Sequence, residues 1–153
     1  MTMFDHDYTR YPELTNTELE VLRYTSPFPQ VEEDFSATVV KVHDGDTIRL
    51  KANFRDFDFP LRLLNINAPE MNESGGQESK MWLSDQILNE EVNILIDRNN
   101  RVGKYGRLLG EVVYKGQNLN DAIVVAGYAT PFSRRNEGKI PIQNKILKEG
   151  QIK

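Results

Sequence analysis

Asp44-Gly45-Asp46-Thr47-Ile48-Arg49-Leu50 is the stretch whose reading decides the fold. Asp-Gly is strong hairpin-turn chemistry, and Thr47 to Leu50 supply a returning strand. Before the turn, Thr38, Val40 and Val42 alternate with Val39 and Lys41, the period of two of a half-buried strand. A β-hairpin beginning near Phe35 is the expectation, and the rest of the chain is read outward from it.

Downstream, a third strand is expected over 57–66, with Phe59, Leu61 and Leu63 on one face and Pro60, Arg62 and Leu64 on the other. It ends at Asn67-Ala68-Pro69. Ser74-Gly75-Gly76 reads as a loop before a helix over 78–88, whose buried stripe would be Met81, Trp82, Leu83, Ile87 and Leu88. Strands follow over 92–96 and 108–114, separated by a turn at 103–106. A further helix over 119–126 starts near Asn118 or Asn120 and stops at Gly127. Residues 142–149 form a candidate short helix closed by Gly150. Five short strands, with a helix after the third and another after the fifth, imply a mainly β, α+β domain: a five-stranded OB-type Greek-key barrel with about three helices.

Upstream, Leu14-Thr15-Asn16-Thr17-Glu18-Leu19 carries a helix start, with Thr15 as N-cap, Glu18 closing a capping box and Leu14 stapled onto Leu19. The helix should run to about Tyr24, because Ser26-Pro27-Phe28-Pro29 breaks regular structure. The chain therefore divides into an acidic N-terminal extension, 1–34, and a barrel domain, 35–153. Charge follows the same division. The extension carries eight acids and two bases, a net of -6, and the remainder fifteen acids and seventeen bases, a net of +2, so the acidity behind the formal net charge of -4 belongs mainly to the extension. Such an extension could dock to a partner or lie across the basic cleft of the barrel.

Composition narrows the function classes. With 39% hydrophobic and 27% charged residues, the 153-residue chain suits one globular unit and neither a disordered nor a membrane-spanning protein. Cysteine is absent, which removes disulfides, thiolate zinc and cysteine nucleophiles. Two histidines cannot build a three-histidine zinc centre, so oxygen-ligated hard cations are the open metal class. Met1-Thr2-Met3-Phe4-Asp5 carries acid where a secretory leader carries base, so a cytoplasmic location is expected unless a leader has been trimmed. A monomer is expected.

Four places carry chemistry. Asp46 follows the turn and offers a hard-cation ligand at the base of the second strand. Arg62 stands among leucines, and its planar fork suits two oxygens of a phosphate. In Asn67-Ala68-Pro69-Glu70 the proline restricts Ala68 to extended geometry, fixing where its carbonyl points and where Glu70, a candidate base or water-positioning group, emerges. Lys104-Tyr105-Gly106-Arg107 offers a second phosphate donor in Arg107 and a stacking surface in Tyr105. His43 is a minor candidate for a base, and Arg134-Arg135 for substrate contact. Each feature alone has a plainer reading: hairpin turn, exposed edge residue, strand terminator, basic turn.

Taken together they resemble the staphylococcal nuclease family. The motifs are Ala37-Thr-Val-Val-Lys41, Asp44-Gly-Asp-Thr47, Leu61-Arg-Leu-Leu64 running to Ala68-Pro-Glu70, Lys104-Tyr-Gly-Arg107, and Leu119-Asn-Asp-Ala122 leading to Gly127, in order over about residues 36–130. The resemblance implies an OB barrel holding one Ca2+. It implies Asp46 and the Ala68 carbonyl as metal ligands, Asp44 in the outer shell, Glu70 acting on the attacking water, and Arg62 and Arg107 stabilising the phosphorane. Lys104 and Tyr105 would bind substrate. It further implies cleavage of DNA and RNA at the 5′-oxygen, leaving 3′-phosphates.

Two departures bear on that reading. Asn67 stands where the family carries a metal-binding aspartate, so a formal charge is lost and an amide oxygen is the ligand expected. The family's long C-terminal helix and the tyrosines after its third helix have no clear counterpart, since Thr130-Pro-Phe-Ser133 occupies that region. An active calcium-dependent nuclease is the leading expectation; a nucleic-acid-binding barrel with a weakened metal site is the alternative.

Overall fold

The computed structural model describes residues 12–22, 30–103 and 106–131. Strand β1 (Phe35–Asp44) pairs antiparallel with β2 (Thr47–Lys51) along one edge and with β5 (Glu91–Leu95) along the other. Strand β2 continues into β3 (Phe59–Leu63), β5 pairs with β6 (Leu108–Tyr114), and β3 and β6 close the circle in parallel. The result is the five-stranded closed barrel that the alternation implied, with no free edge among its principal strands. Two short pairings lie outside it. Strand β4 (Ile66–Asn67) pairs with β8 (Thr130–Pro131), and β7 (Gln117–Asn118) extends β6.

The barrel interior is apolar and fully enclosed, built from Val39, Ile48, Leu50, Phe59, Leu61, Leu63, Ile94, Leu108 and Val112. The expected alternation of β1 is corrected by a bulge. Val39 pairs with Leu50 but Lys41 with Arg49, so an extra residue reverses the parity. Ala37 and Val39 face inward before the bulge and Val42 after it, while Val40 is left exposed. The third strand is also shorter than expected, because Asn65 adopts a left-handed φ of 66° and turns the chain before β4. The turn folds Leu64 inward, to 8% exposure, away from the outer face assigned to it.

Helix α1 (Asn16–Leu22) begins with the expected capping box: the Glu18 carboxylate accepts from the Thr15 amide at 2.9 Å, and the Thr15 hydroxyl accepts from the Glu18 amide at 3.1 Å. Helix α2 (Gly76–Ile87) starts two residues early; Leu83 and Ile87 are buried and Trp82 packs half-buried against the core as expected, but the rest of the stripe differs. Gly76, Ser79, Leu83 and Ile87 face the barrel, whereas Met81 is 61% exposed and Leu88 lies past the last turn. Small residues at the start of the helix let it sit close against β1. Helix α3 (Leu119–Val125) is capped by Asn118, whose side chain accepts from the Asp121 amide. The candidate helix over 142–149 lies outside the described residues. No helix among the described residues is long and apolar enough to cross a membrane.

Buried Asn120, on α3, locks the barrel to the segment that leads into β4. Its amide nitrogen donates to the carbonyls of Leu64 (2.9 Å) and Gly110 (3.2 Å), and its oxygen accepts from the Val112 amide (3.0 Å). Asn120→Ala removes these partners from the Leu64 carbonyl and the Val112 amide, while the Gly110 carbonyl keeps the Leu64 amide at 2.9 Å; the cost is about 1–3 kcal/mol for each group left unpaired where water cannot reach. The expected outcome is a lower urea midpoint with an unchanged slope, and an unchanged midpoint would show that the three bonds contribute nothing net.

Candidate active site

At the start of β2 the sequence motifs come together around Asp46. Asp46 is 6% exposed, and its carboxylate accepts from three donors. One oxygen accepts from the Thr47 hydroxyl at 3.1 Å; the other accepts from the Ala68 amide at 2.9 Å and from Arg62 at 3.4 Å. The Asp46 carbonyl also accepts from the Leu63 amide at 2.8 Å. This one residue therefore ties β2 to the end of β3 and to Ala68, just beyond β4. Gly45 is required by a close approach. A Cβ there would overlap the Ser79 hydroxyl and lie 2.8 Å from the Ala68 Cβ, so the turn can meet α2 only without a side chain.

Arg62 projects from the outer face of β3, opposite Thr47 across the strand pair. Its guanidinium donates to the Asn67 side-chain oxygen at 3.2 Å, to Asp46, and to its neighbour's carbonyl, that of Leu63, at 3.1 Å. Arg107 stands just before β6 and reaches the same corner, donating to the Thr47 hydroxyl at 3.4 Å. Two guanidinium groups from strands far apart in sequence thus converge on Asp46 and Thr47.

Glu70 is exposed at the mouth of this corner, with its amide donating to the Glu73 carboxylate at 2.7 Å. Asn67 is further fixed by the β4–β8 pairing, where its carbonyl accepts from the Thr130 hydroxyl at 3.3 Å. A cleft of about 630 Å³ opens beside it, lined by Asn67, Pro69, Glu73, Glu78, Tyr128 and Thr130 among others. Lys104 and Tyr105, and Arg134 and Arg135, lie outside the described residues. His43 is exposed on the face of β1 opposite Asp44.

Thr47, which hydrogen-bonds both Asp46 and Arg107, was not singled out from the sequence as a site residue. The signal available was its position, the first outward-facing residue after Asp46. Glu73 was passed over too, although its place three residues after Glu70 is capping-box spacing.

Asp44, at the end of β1, is 6% exposed, and its side chain accepts from the Asp46 amide at 3.1 Å. Burial, then the charge of Asp46 and more weakly that of Glu70, push its carboxyl up from an ordinary 3.8 to about 7. The corner thus gathers carboxylates that crowd one another, together with carbonyl and amide oxygens, a donor set that fits a hard cation. Among the described residues, no three acidic or imidazole side chains cluster closely enough to hold a metal by themselves, so such a cation would depend on the neutral oxygens of Asn67 and Ala68.

Without metal, folded Asp44 keeps a proton that the unfolded chain releases between pH 3.8 and about 7. Stability should therefore decline as pH rises through that window. Asp44→Asn should flatten the decline in chelator, read from denaturation midpoints at pH 5 and pH 8. An undiminished slope would place the titration elsewhere.

Comparison with known proteins agrees with the geometry. Residues 60–151 match the family model described as "Staphylococcal nuclease homologue". The chain is 32% identical over 111 residues to an "Uncharacterized endonuclease" of Haemophilus influenzae, covering 72% of this chain and 60% of that protein. It is 32% identical over 110 residues to an "Uncharacterized endonuclease" of Escherichia coli O157:H7, covering 71% and 69%. A "Micrococcal nuclease" of Shigella flexneri is 37% identical over 109 residues, covering 65% and 59%. The chain thus spans between 59% and 69% of the length of these relatives.

Proposed function

This chain belongs to the family of staphylococcal nuclease homologues, and from that premise we propose that it is a calcium-dependent nuclease cleaving phosphodiester bonds of DNA and RNA. Attack would release the 5′-oxygen and leave a 3′-phosphate. The observation that carries the reading is the convergence of Arg62 and Arg107 on the Asp46–Thr47 corner, with Glu70 at its mouth.

Phosphodiester hydrolysis develops charge on the equatorial oxygens, and two preorganised guanidinium groups answer that need better in a partly dry corner than in bulk water. Arg62 is half-buried and braced by Asp46 and Asn67, so it is aimed before substrate arrives. Glu70 would accept a proton from the attacking water or orient it, from a backbone position set by Pro69 and by the Glu70 amide bond to Glu73. Asp46, the Ala68 carbonyl and the Asn67 amide oxygen would hold calcium, with Asp44 behind them. When bound, calcium would supply positive charge beside the phosphate and polarise it. Lys104 and Tyr105 would contact the substrate beyond the scissile phosphate.

One observation favours a second reading, a nucleic-acid-binding barrel with weak turnover. The neutral Asn67 oxygen is already engaged by Arg62, so the metal corner has one charge fewer and a competing cation. Incubation with plasmid, single-stranded DNA and RNA, in millimolar calcium and in chelator, separates the two. Calcium-dependent degradation supports the enzyme, and intact nucleic acid with measurable binding supports the module.

Asn67→Asp restores a formal charge and is expected to lower the calcium concentration for half-maximal activity. A calcium titration with no shift would show that residue 67 is not a ligand. Arg107→Ala is expected to lower kcat by about two to three orders of magnitude with a small change in KM, the pattern of a contact that strengthens in the transition state. Equal losses in binding and turnover would make Arg107 a ground-state binding residue only.

A further inference from the structure

Glu13 is an acid from the N-terminal segment buried at 2% exposure, and both of its oxygens are committed. One accepts from Arg55 at 2.7 Å; the other accepts from Arg101 at 2.7 Å and from the Val31 amide at 2.9 Å. Arg55 lies in the β2–β3 connection, stacked 4.6 Å above the Phe59 ring. It sits past the end of β2 remote from Asp46. The described part of the acidic segment is therefore not laid over the corner where Arg62 and Arg107 meet.

Arg101 links this cluster to that corner. Its side chain is 1% exposed and donates to Glu13, to the Val31 carbonyl at 2.6 Å, to the Leu14 carbonyl at 2.7 Å and to the Asn16 side chain at 3.3 Å. All four acceptors belong to the segment that precedes the barrel. Its backbone roots one leg of a tight hairpin. The Arg101 carbonyl accepts from the Leu109 amide at 2.8 Å, Val102 bridges Leu108, and the Gly103 amide donates to the Arg107 carbonyl at 2.8 Å. The leg facing Arg101 is the one that carries Arg107.

We infer that Glu13 and Arg101 are positioning residues for the reaction, through which the N-terminal segment fixes the hairpin that presents Arg107 to the phosphate. The physical basis is the cost of displacement. A buried guanidinium that moves must abandon charged and carbonyl acceptors with no water to replace them, so the root of the hairpin has one low-energy position. The matched family region begins at residue 60, so the segment supplying the acceptors lies outside it. The inference rests on the reading of Arg107 as a phosphate-stabilising group, and its test separates the two.

The test is a double-mutant cycle on the full chain, Glu13→Gln with Arg107→Ala, accompanied by amide exchange at Gly103 and Leu109. Glu13→Gln keeps size and removes the charge; it is expected to lower kcat about tenfold with KM nearly constant, and to cost nothing further once Arg107 is alanine. It should also accelerate exchange at Gly103 and Leu109 while the β1–β2 amides stay protected. Asn16→Ala, an exposed change on the same guanidinium, should reproduce the pattern at smaller amplitude and serves if Glu13→Gln does not fold. Equal fold-losses of kcat in both backgrounds, or unchanged exchange at the two hairpin amides, would overturn the inference and leave Glu13 as a fold-stabilising residue. Accelerated exchange in a protein whose turnover is insensitive to Arg107→Ala would uphold the mechanical link and overturn the role given to Arg107.

Discussion

The parallel pairing of β3 with β6 is the constraint on which the remaining geometry depends. Leu61 to Leu63 lie beside Leu108 to Gly110, closing a sheet that would otherwise leave two long edges open. The approach is tight: a Cβ at Gly110 would lie 2.8 Å from Ile94 and 3.2 Å from Leu61, so closure at this radius needs glycine there. The same pairing sets Arg62 opposite Leu109 and so brings Arg107, two residues earlier, to the Asp46–Thr47 corner. Without closure the two guanidinium groups would belong to separate ends of a flat sheet.

Buried charge is handled differently at the two poles of the molecule. At the corner, Asp44 and Asp46 are crowded, and only part of their charge is answered by Arg62 at 3.4 Å. That imbalance is visible in the raised Asp44 carboxyl. Around Glu13 the opposite holds. One carboxylate is clamped at 2.7 Å by two guanidinium groups, with backbone carbonyls taking further donors. Both oxygens of that carboxylate are engaged and closed off from solvent, which is why its bearing on the reaction is mechanical.

Much of this architecture was legible in the chain because short-range physics writes it there. The hairpin at Asp44-Gly45, the inward Phe59, Leu61 and Leu63, the Thr15–Glu18 capping box and the start of α3 at Asn118 each depend on residues within a few positions of one another. The site motifs were legible for a different reason. The motifs that carry Asp46, Arg62 and Arg107 stood out through their resemblance, taken together, to one family, and the fold brings these three side chains to one corner.

Tertiary structure alone decided the rest. A bulge in β1 shifted the parity that alternation implied, because a barrel must bend and bends where an extra residue is inserted. Met81 and Leu88 were left outside while Ser79 went in, because α2 approaches a turn that admits only a small side chain. Glu13, one of eight acids in a segment that reads as an acidic extension, is buried because Arg55 and Arg101, 42 and 88 residues away, meet it there. By itself the sequence determined which groups were available and how each strand and helix would form. Which charges would meet was settled by barrel closure, since pairing across such separations is a property of the folded chain and of no stretch within it.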